Sequence, residues 1–279
     1  MIFALIDRIL SSLLARQGVQ RRYLETSYGR IHTLDGRGGG QLPPIVLIHG
    51  IGANAISYYP LIKRLLPHTR RLIAIDLIAH GASQVPAGPM NYEVLRDAAV
   101  ETLCATLDEP AIIFGNSLGG GVSLYFATTN PDRVHSLVLA SPAGAPFTET
   151  DLAEVRGLFQ IDSPTKALDF LARVYHRRPP YAIVAYQHLR QIYSAPSIRA
   201  LFASLKPGEV IDSQRLRQLP MPIYVMWGKS DRILPLAHLA YFRETLPKPT
   251  KFEELHEMGH CPFLERPSAV AERLIHFVG

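Results

Sequence analysis

The sequence predicts an α/β fold: a mostly parallel central sheet, helices on both of its faces, and a helical cap inserted late in the chain. Three observations carry this. Short apolar runs of strand type alternate with helical patterns, which implies βαβ crossovers. The alternation stops after Ser141-Pro142-Ala143-Gly144 and resumes only at Pro222–Trp227, with helical patterns between. Finally, Ala111–Gly121 sets a Gly-X-Ser-X-Gly pentapeptide where a strand meets a small-residue helix.

The elements follow in order. Residues 1–22 read as an N-terminal amphipathic helix, with Ile2, Ile6, Ile9 and Leu13 on one face and Phe3, Leu10 and Leu14 beside it. Asp7 and Arg8 interrupt the apolar run, so it is too short and too polar to span a membrane and makes a poor signal peptide. One reading is an interfacial helix, giving peripheral membrane contact through residues 1–15, with Arg8, Arg16, Arg21 and Arg22 flanking the apolar face. The other is a helix docked on its own protein or on a second subunit. The expected location is cytoplasmic under either reading, and oligomeric state is open.

The first part of the core spans 23–143. Tyr23–Asp35 reads as a β-hairpin turning at Tyr28-Gly29-Arg30. Pro44–Ile48 is a continuous apolar strand, of the kind buried on both faces, and ends in His49-Gly50-Ile51-Gly52. A helix over Ile56–Leu66, a strand over Arg71–Leu77 and a helix over Tyr92–Leu107 follow. The strand Ala111–Phe114, the helix Leu118–Thr128 and the strand Ser136–Ala140 complete this part. The cap, 144–213, holds helices at Leu152–Phe159, Thr165–Tyr175, Tyr181–Tyr193 and Ile198–Leu205; Ser163-Pro164 and Pro196-Ser197 mark two of the starts. The second part of the core, 214–279, returns to strand Pro222–Trp227, helix Leu236–Thr245, strand Thr250–Leu255 and helix Pro267–Phe277.

Composition excludes several classes. The chain has 279 residues, of which 47% are hydrophobic and 19% charged, enough to bury a large core without staples. A formal charge of +5 is spread in short clusters such as Arg21-Arg22, Arg70-Arg71 and Arg177-Arg178, which read as solvated surface and not as a nucleic-acid footprint. Two cysteines, Cys104 and Cys261, make no disulfide framework, and nothing has metal-ligand spacing. No cofactor or metal is expected.

The chemistry centres on Ser117. A serine hydroxyl needs a base to accept its proton, and the base needs an orienting carboxylate. Asp231 follows the strand Pro222–Trp227 through Gly228-Lys229-Ser230, and His260 follows Thr250–Leu255 through His256-Glu257-Met258-Gly259. Both fall just past the C-terminal ends of parallel strands, as Ser117 does, where open α/β sheets bind ligands. The alternative acid position after Ser136–Ala140 is filled by Ser141-Pro142 and offers no carboxylate. His256, the rival base, lies at the end of its strand pattern. Backbone N–H groups of Leu118 and Ile51 are the candidate oxyanion donors, while His49 and His80 read as loop-shaping hydrogen-bonders.

From about Tyr23 onward the chain resembles the α/β-hydrolase fold superfamily. The matching pieces are His-Gly-Ile-Gly (49–52), Asp-Leu-Ile-Ala-His-Gly-Ala-Ser (76–83), Gly-Asn-Ser-Leu-Gly-Gly (115–120), Gly-Lys-Ser-Asp (228–231) and Gly-His (259–260). The elbow, cap and N-terminal apolar helix are similar to those of small bacterial lipases and monoacylglycerol-lipase-type esterases. The resemblance implies a serine carboxylic ester hydrolase acting on apolar esters, such as monoacylglycerols or short-to-medium acyl chains. The same elbow occurs in C–C bond hydrolases of aromatic meta-cleavage products, whose cap would need polar groups for a dienoate. A third reading is a non-catalytic receptor on the same fold. Haloalkane dehalogenases and epoxide hydrolases carry Asp at the elbow, so Ser117 argues against both. The cap aromatics Phe159, Phe170, Tyr175, Tyr181, Tyr186, Tyr193 and Phe202 suggest an apolar lid, most of them forming the cap's own core.

Overall fold

The computed structural model describes residues 2–208 and 211–279, apart from the side chains of Ile2, Ala4 and Ile183. Expectations for residue 1, for the Ile2 side chain and for positions 209 and 210 of the cap lie outside the described residues. Among the described residues eight strands form one sheet: β1 (Val19–Thr26), β2 (Gly29–Arg37), β3 (Ile45–Ile48), β4 (Arg71–Ile75), β5 (Ala111–Ser117), β6 (Val134–Pro142), β7 (Ile223–Gly228) and β8 (Lys251–Leu255). Their order is β1-β2-β4-β3-β5-β6-β7-β8. The pairs β1–β2 and β2–β4 are antiparallel, and the rest of the sheet is parallel.

This order fixes where a site can form. The chain leaves β3 toward β4 on one side and then returns to place β5 on the other. The crevice at the C-terminal ends of β3 and β5 is thus the topological switch point. Burial explains the strands' composition. All four β3 residues are fully buried and alternate between two cores, Val46 and Ile48 facing one, Ile45 and Leu47 the other. A strand covered on both faces has no polar face to show.

Twelve helices are described: α1 (Ile2–Ala15), α2 (Tyr59–Leu65), α3 (Tyr92–Thr106), α4 (Leu118–Thr129), α5 (Glu149–Leu158), α6 (Pro164–Val174), α7 (Tyr186–Tyr193), α8 (Pro196–Ser204), α9 (Ser213–Arg217), α10 (Leu236–Thr245), α11 (Pro262–Glu265) and α12 (Pro267–Val278). Several boundaries differ from expectation for local reasons. The N-terminal helix stops at Ala15, not at residue 22, because Gly18 turns the chain with φ +82° and residues 19–22 enter β1. Residues 55–58 form a 3-10 turn before α2, set by Asn54, whose side chain accepts from the Ser57 amide at 3.1 Å. The helix expected over Tyr181–Tyr193 is two pieces, a 3-10 turn at Pro180–Val184 and α7; the Ala185 amide closes back on the Ala182 carbonyl at 3.3 Å. Helix α5 starts three residues early on a capping box between Thr148 and Asp151.

Helix α1 divides its apolar residues between two tasks. Leu14 is fully buried in the core beneath α2, with Leu10 packed against it, so the helix docks on its own protein. Phe3 stacks on His188 of α7 with ring centroids 4.2 Å apart. The opposite side leaves Leu5, Ile6 and Ile9 exposed. Among the described residues no helix is long and apolar enough to cross a membrane.

Candidate active site

Strand β5 runs three residues further than expected and delivers Ser117 directly to the first turn of α4. The serine has φ 53° and ψ −121°, a conformation that L side chains rarely adopt and that costs about 1–3 kcal/mol. Its neighbours are glycine because backbones crowd together there. A Cβ at Gly119 would lie 2.1 Å from the Ile48 carbonyl oxygen, and one at Gly115 would lie 2.5 Å from the Gly119 carbonyl oxygen. The pentapeptide is therefore a packing requirement of α4 against β3.

Asp231 and His260 come together. His260 Nδ1 lies 2.8 Å from Asp231 Oδ2, and both side chains are almost fully buried. The other carboxylate oxygen accepts from the Ile233 amide at 2.8 Å and the Leu234 amide at 3.4 Å. Burial alone would push the Asp231 carboxyl up; His260 and the Ile233 amide outweigh it and hold the group below its ordinary value. The carboxylate thus stays ionised. Ser117 sits at the elbow beside the His260 loop, and among the described residues its hydroxyl makes no hydrogen bond to the imidazole. Such contacts commonly tighten only when substrate binds. His256 is exposed and takes no part in this arrangement.

Two features escaped the sequence. Asn116, the residue before the serine, donates its Nδ2 protons to the carbonyls of His260 and Ala140, each at 2.9 Å. It ties the elbow to the His260 loop and to β6. The C-terminal turn of α6 holds both loops as well: the Val174 carbonyl accepts from the His260 amide at 2.7 Å, and the Arg173 carbonyl from the Arg232 amide at 3.2 Å. These are carbonyls a helix end leaves unpaired. Asn116 could have been suspected as a polar residue in a buried strand; the α6 contacts have no local signal.

The loop that carries Ile51 is shaped by histidine. His49 Nε2 accepts from the Leu77 amide at 3.0 Å, which leaves Nδ1–H to donate to the Gly50 carbonyl at 2.8 Å. The ring is fully buried and neutral, its basicity lowered by that burial. Ile51 follows this fixed turn, and Leu118 is the first residue of α4, where helix amides lack intrahelical acceptors. Asp76 anchors the loop from below. It accepts from the amides of Ala55 at 2.6 Å and Ala82 at 2.8 Å and pairs with His32 at 2.8 Å.

Three buried histidines make the fold acid-sensitive. Burial, with His49 adjacent, pushes His80 down to about 3, and burial pushes His238 down to about 4; His49 is lowered likewise. Folded, they are neutral, while in the unfolded chain they titrate near 6.5. The unfolded state therefore binds more protons below pH 6.5, and stability falls as pH drops from there toward about 4. Each such histidine contributes a slope of about 1.4 kcal/mol per pH unit. Asp76 adds its loss only near and below its ordinary value of 3.8. Urea midpoints at pH 7.5 and 5.5 should differ clearly, less so in His80→Gln. Equal midpoints in the parent protein would contradict this.

Among the described residues no group of three or more His, Cys, Asp or Glu could hold a metal ion. Comparison with known proteins agrees with the fold. The Alpha/beta hydrolase family model matches residues 45–273. The chain is 30% identical over 244 residues to a pimeloyl-[acyl-carrier protein] methyl ester esterase of Neisseria meningitidis serogroup A, covering 84% of this chain and 76% of that one. It is 30% identical over 237 residues to a 2-hydroxymuconate semialdehyde hydrolase of Pseudomonas sp. strain CF600, covering 78% and 79%. Among solved structures, a 2-hydroxy-6-oxo-6-phenylhexa-2,4-dienoate hydrolase from Rhodococcus sp. strain RHA1 superposes with a TM-score of 0.80 at 26% identity, covering 93% of this chain and 98% of that one. With its sheet order, its elbow and a family match over most of its length, the chain belongs to the alpha/beta hydrolase family.

Proposed function

We propose that the protein is a carboxylic ester hydrolase acting through an acyl-enzyme on Ser117. The observation that carries this reading is the buried, ionised Asp231 bonded to His260 Nδ1, in a loop fastened by Asn116 to the elbow that presents Ser117. Asp231 fixes the tautomer in which His260 Nε2 is the basic nitrogen. That nitrogen takes the Ser117 proton as Oγ attacks the ester carbonyl. The developing oxyanion meets the amides of Leu118 and Ile51, each such donor being worth about 3–4 kcal/mol in the transition state. The protonated imidazole gives its proton to the leaving alcohol, and water, activated by the same base, resolves the acyl-enzyme. The helices between β6 and β7 serve as the cap, with α6 holding the acid and base loops from above.

The esterase relative supports the reaction class, and the C–C hydrolase relatives make a dienoate the necessary control. A p-nitrophenyl ester series run against a meta-cleavage dienoate separates the two. The expected result is measurable turnover of short-to-medium acyl esters, with kcat/KM for the dienoate at least tenfold lower. Faster dienoate cleavage would replace this reading with the C–C hydrolase. A Ser117 that takes no fluorophosphonate label would support a non-catalytic receptor instead.

A further inference from the structure

The helices between β6 and β7 also enclose a cleft of about 780 Å³ among α5, α7 and α8. One wall is aromatic: Phe159 packs on Phe202 with centroids 4.6 Å apart and on Tyr193 at 5.0 Å. The rest of the lining carries three guanidinium groups, from Arg156, Arg190 and Arg199. Arg156 is committed, its Nε donating to the Phe202 carbonyl at 3.0 Å. Arg190 and Arg199 are exposed, and among the described residues neither is paired with a carboxylate. The acid on the lining, Asp162, is already taken by Lys166 at 2.7 Å. The cleft therefore joins an apolar wall to two guanidinium groups that, among the described residues, no carboxylate neutralises.

Tyr193 connects this cleft to the candidate active site. Its ring lines the cleft, and its hydroxyl reaches the Ile51 carbonyl at 3.4 Å. A Cβ at Gly52 would lie 2.5 Å from the same ring, so the oxyanion loop packs directly against it. Tyr193 is thus the wall that the cleft shares with the loop carrying Ile51, and on the cleft side the surroundings change from apolar to cationic.

We propose that this cleft binds the anionic end of an amphipathic ester, a carboxylate or phosphate remote from the scissile bond, with the aliphatic portion against the aromatic wall. Guanidinium groups bind both anions through paired, charge-assisted hydrogen bonds. This rests on the ester-hydrolase reading and narrows it: the aromatic lid suits an apolar chain, and the arginines add a charged terminus to it.

The test compares the monomethyl ester of a straight-chain dicarboxylic acid with the dimethyl ester of the same acid, and with an ω-phosphate analogue of the monoester. At low salt the anionic substrates should be preferred in kcat/KM by roughly tenfold, mainly through KM, the size of one good charge-assisted contact. In Arg190→Ala/Arg199→Ala that ratio should fall toward one, and Arg190→Lys/Arg199→Lys should retain part of it. Salt should erode the preference in the parent protein. The faster of the carboxylate and phosphate substrates identifies the anion. A ratio of one or below in the parent, or a ratio the double alanine variant leaves intact, overturns the proposal while ester turnover itself still stands. If no ester turns over, the ester-hydrolase reading is what fails. The cleft is then judged by calorimetry with the dicarboxylate monoester on Ser117→Ala: arginine-dependent binding supports it, and none overturns it.

Discussion

Ser117→Ala is expected to lower kcat on a p-nitrophenyl ester by about 10⁴- to 10⁶-fold with little change in folding stability. On the proposed mechanism the loss is large because serine, histidine and acid would act as one unit, so removing the nucleophile also idles the other two. What remains is the modest catalysis that oxyanion donors and binding supply by themselves. Stability should hold because alanine faces the same strained φ of 53° that serine already tolerates. Glycine at this position makes the complementary measurement. Ser117→Gly should be equally inactive yet more stable by about 1 kcal/mol, since glycine occupies that conformation without a Cβ penalty. Steady-state rates and thermal melts of the two variants check both statements. An alanine variant within tenfold of the parent would remove Ser117 from the reaction.

The parts legible in the sequence share a cause. Strand β3 and the first four residues of β5, Ala111–Phe114, are apolar throughout because both faces are covered, and burial on that scale leaves a continuous signal. The elbow was legible because its glycines answer to contacts within a few residues or with one adjacent strand. The chain order of Ser117, Asp231 and His260 was readable because each follows a strand pattern that could be counted. What stayed hidden depends on contacts that no local pattern encodes. The break at Ala185 lies inside a run whose periodicity continues smoothly from Tyr181 to Tyr193. The carbonyls of Arg173 and Val174 hold the loops of Asp231 and His260 from some 60 to 90 residues away. Asp76 was visible as part of a motif, but its three partners come from β2, from the turn after β3 and from its own loop. The N-terminal helix illustrates the limit of amphipathicity, for its one broad apolar face proved to be a docked side and an exposed side.

Asp231→Asn is the most discriminating substitution, because it preserves shape and removes only the hydrogen-bond logic. Oδ1 of Asp231 accepts from the Ile233 and Leu234 amides, so asparagine must place its carbonyl oxygen there to keep those donors satisfied. Its amide nitrogen then occupies the Oδ2 position, 2.8 Å from His260 Nδ1. Two donors cannot face each other, so Nδ1 gives up its proton and the imidazole shifts to the tautomer protonated at Nε2. That nitrogen can no longer accept a proton from Ser117. The expected result is a fall in kcat of about 10⁴-fold with KM little altered. Asp231→Ala removes the same acceptor without imposing the wrong tautomer, and it should be less damaging than the isosteric change. Nitrogen NMR of the imidazole reads the tautomer directly, independent of turnover. An asparagine variant that keeps Nε2 unprotonated, or that turns over within tenfold of the parent, would assign the carboxylate's role to a different residue.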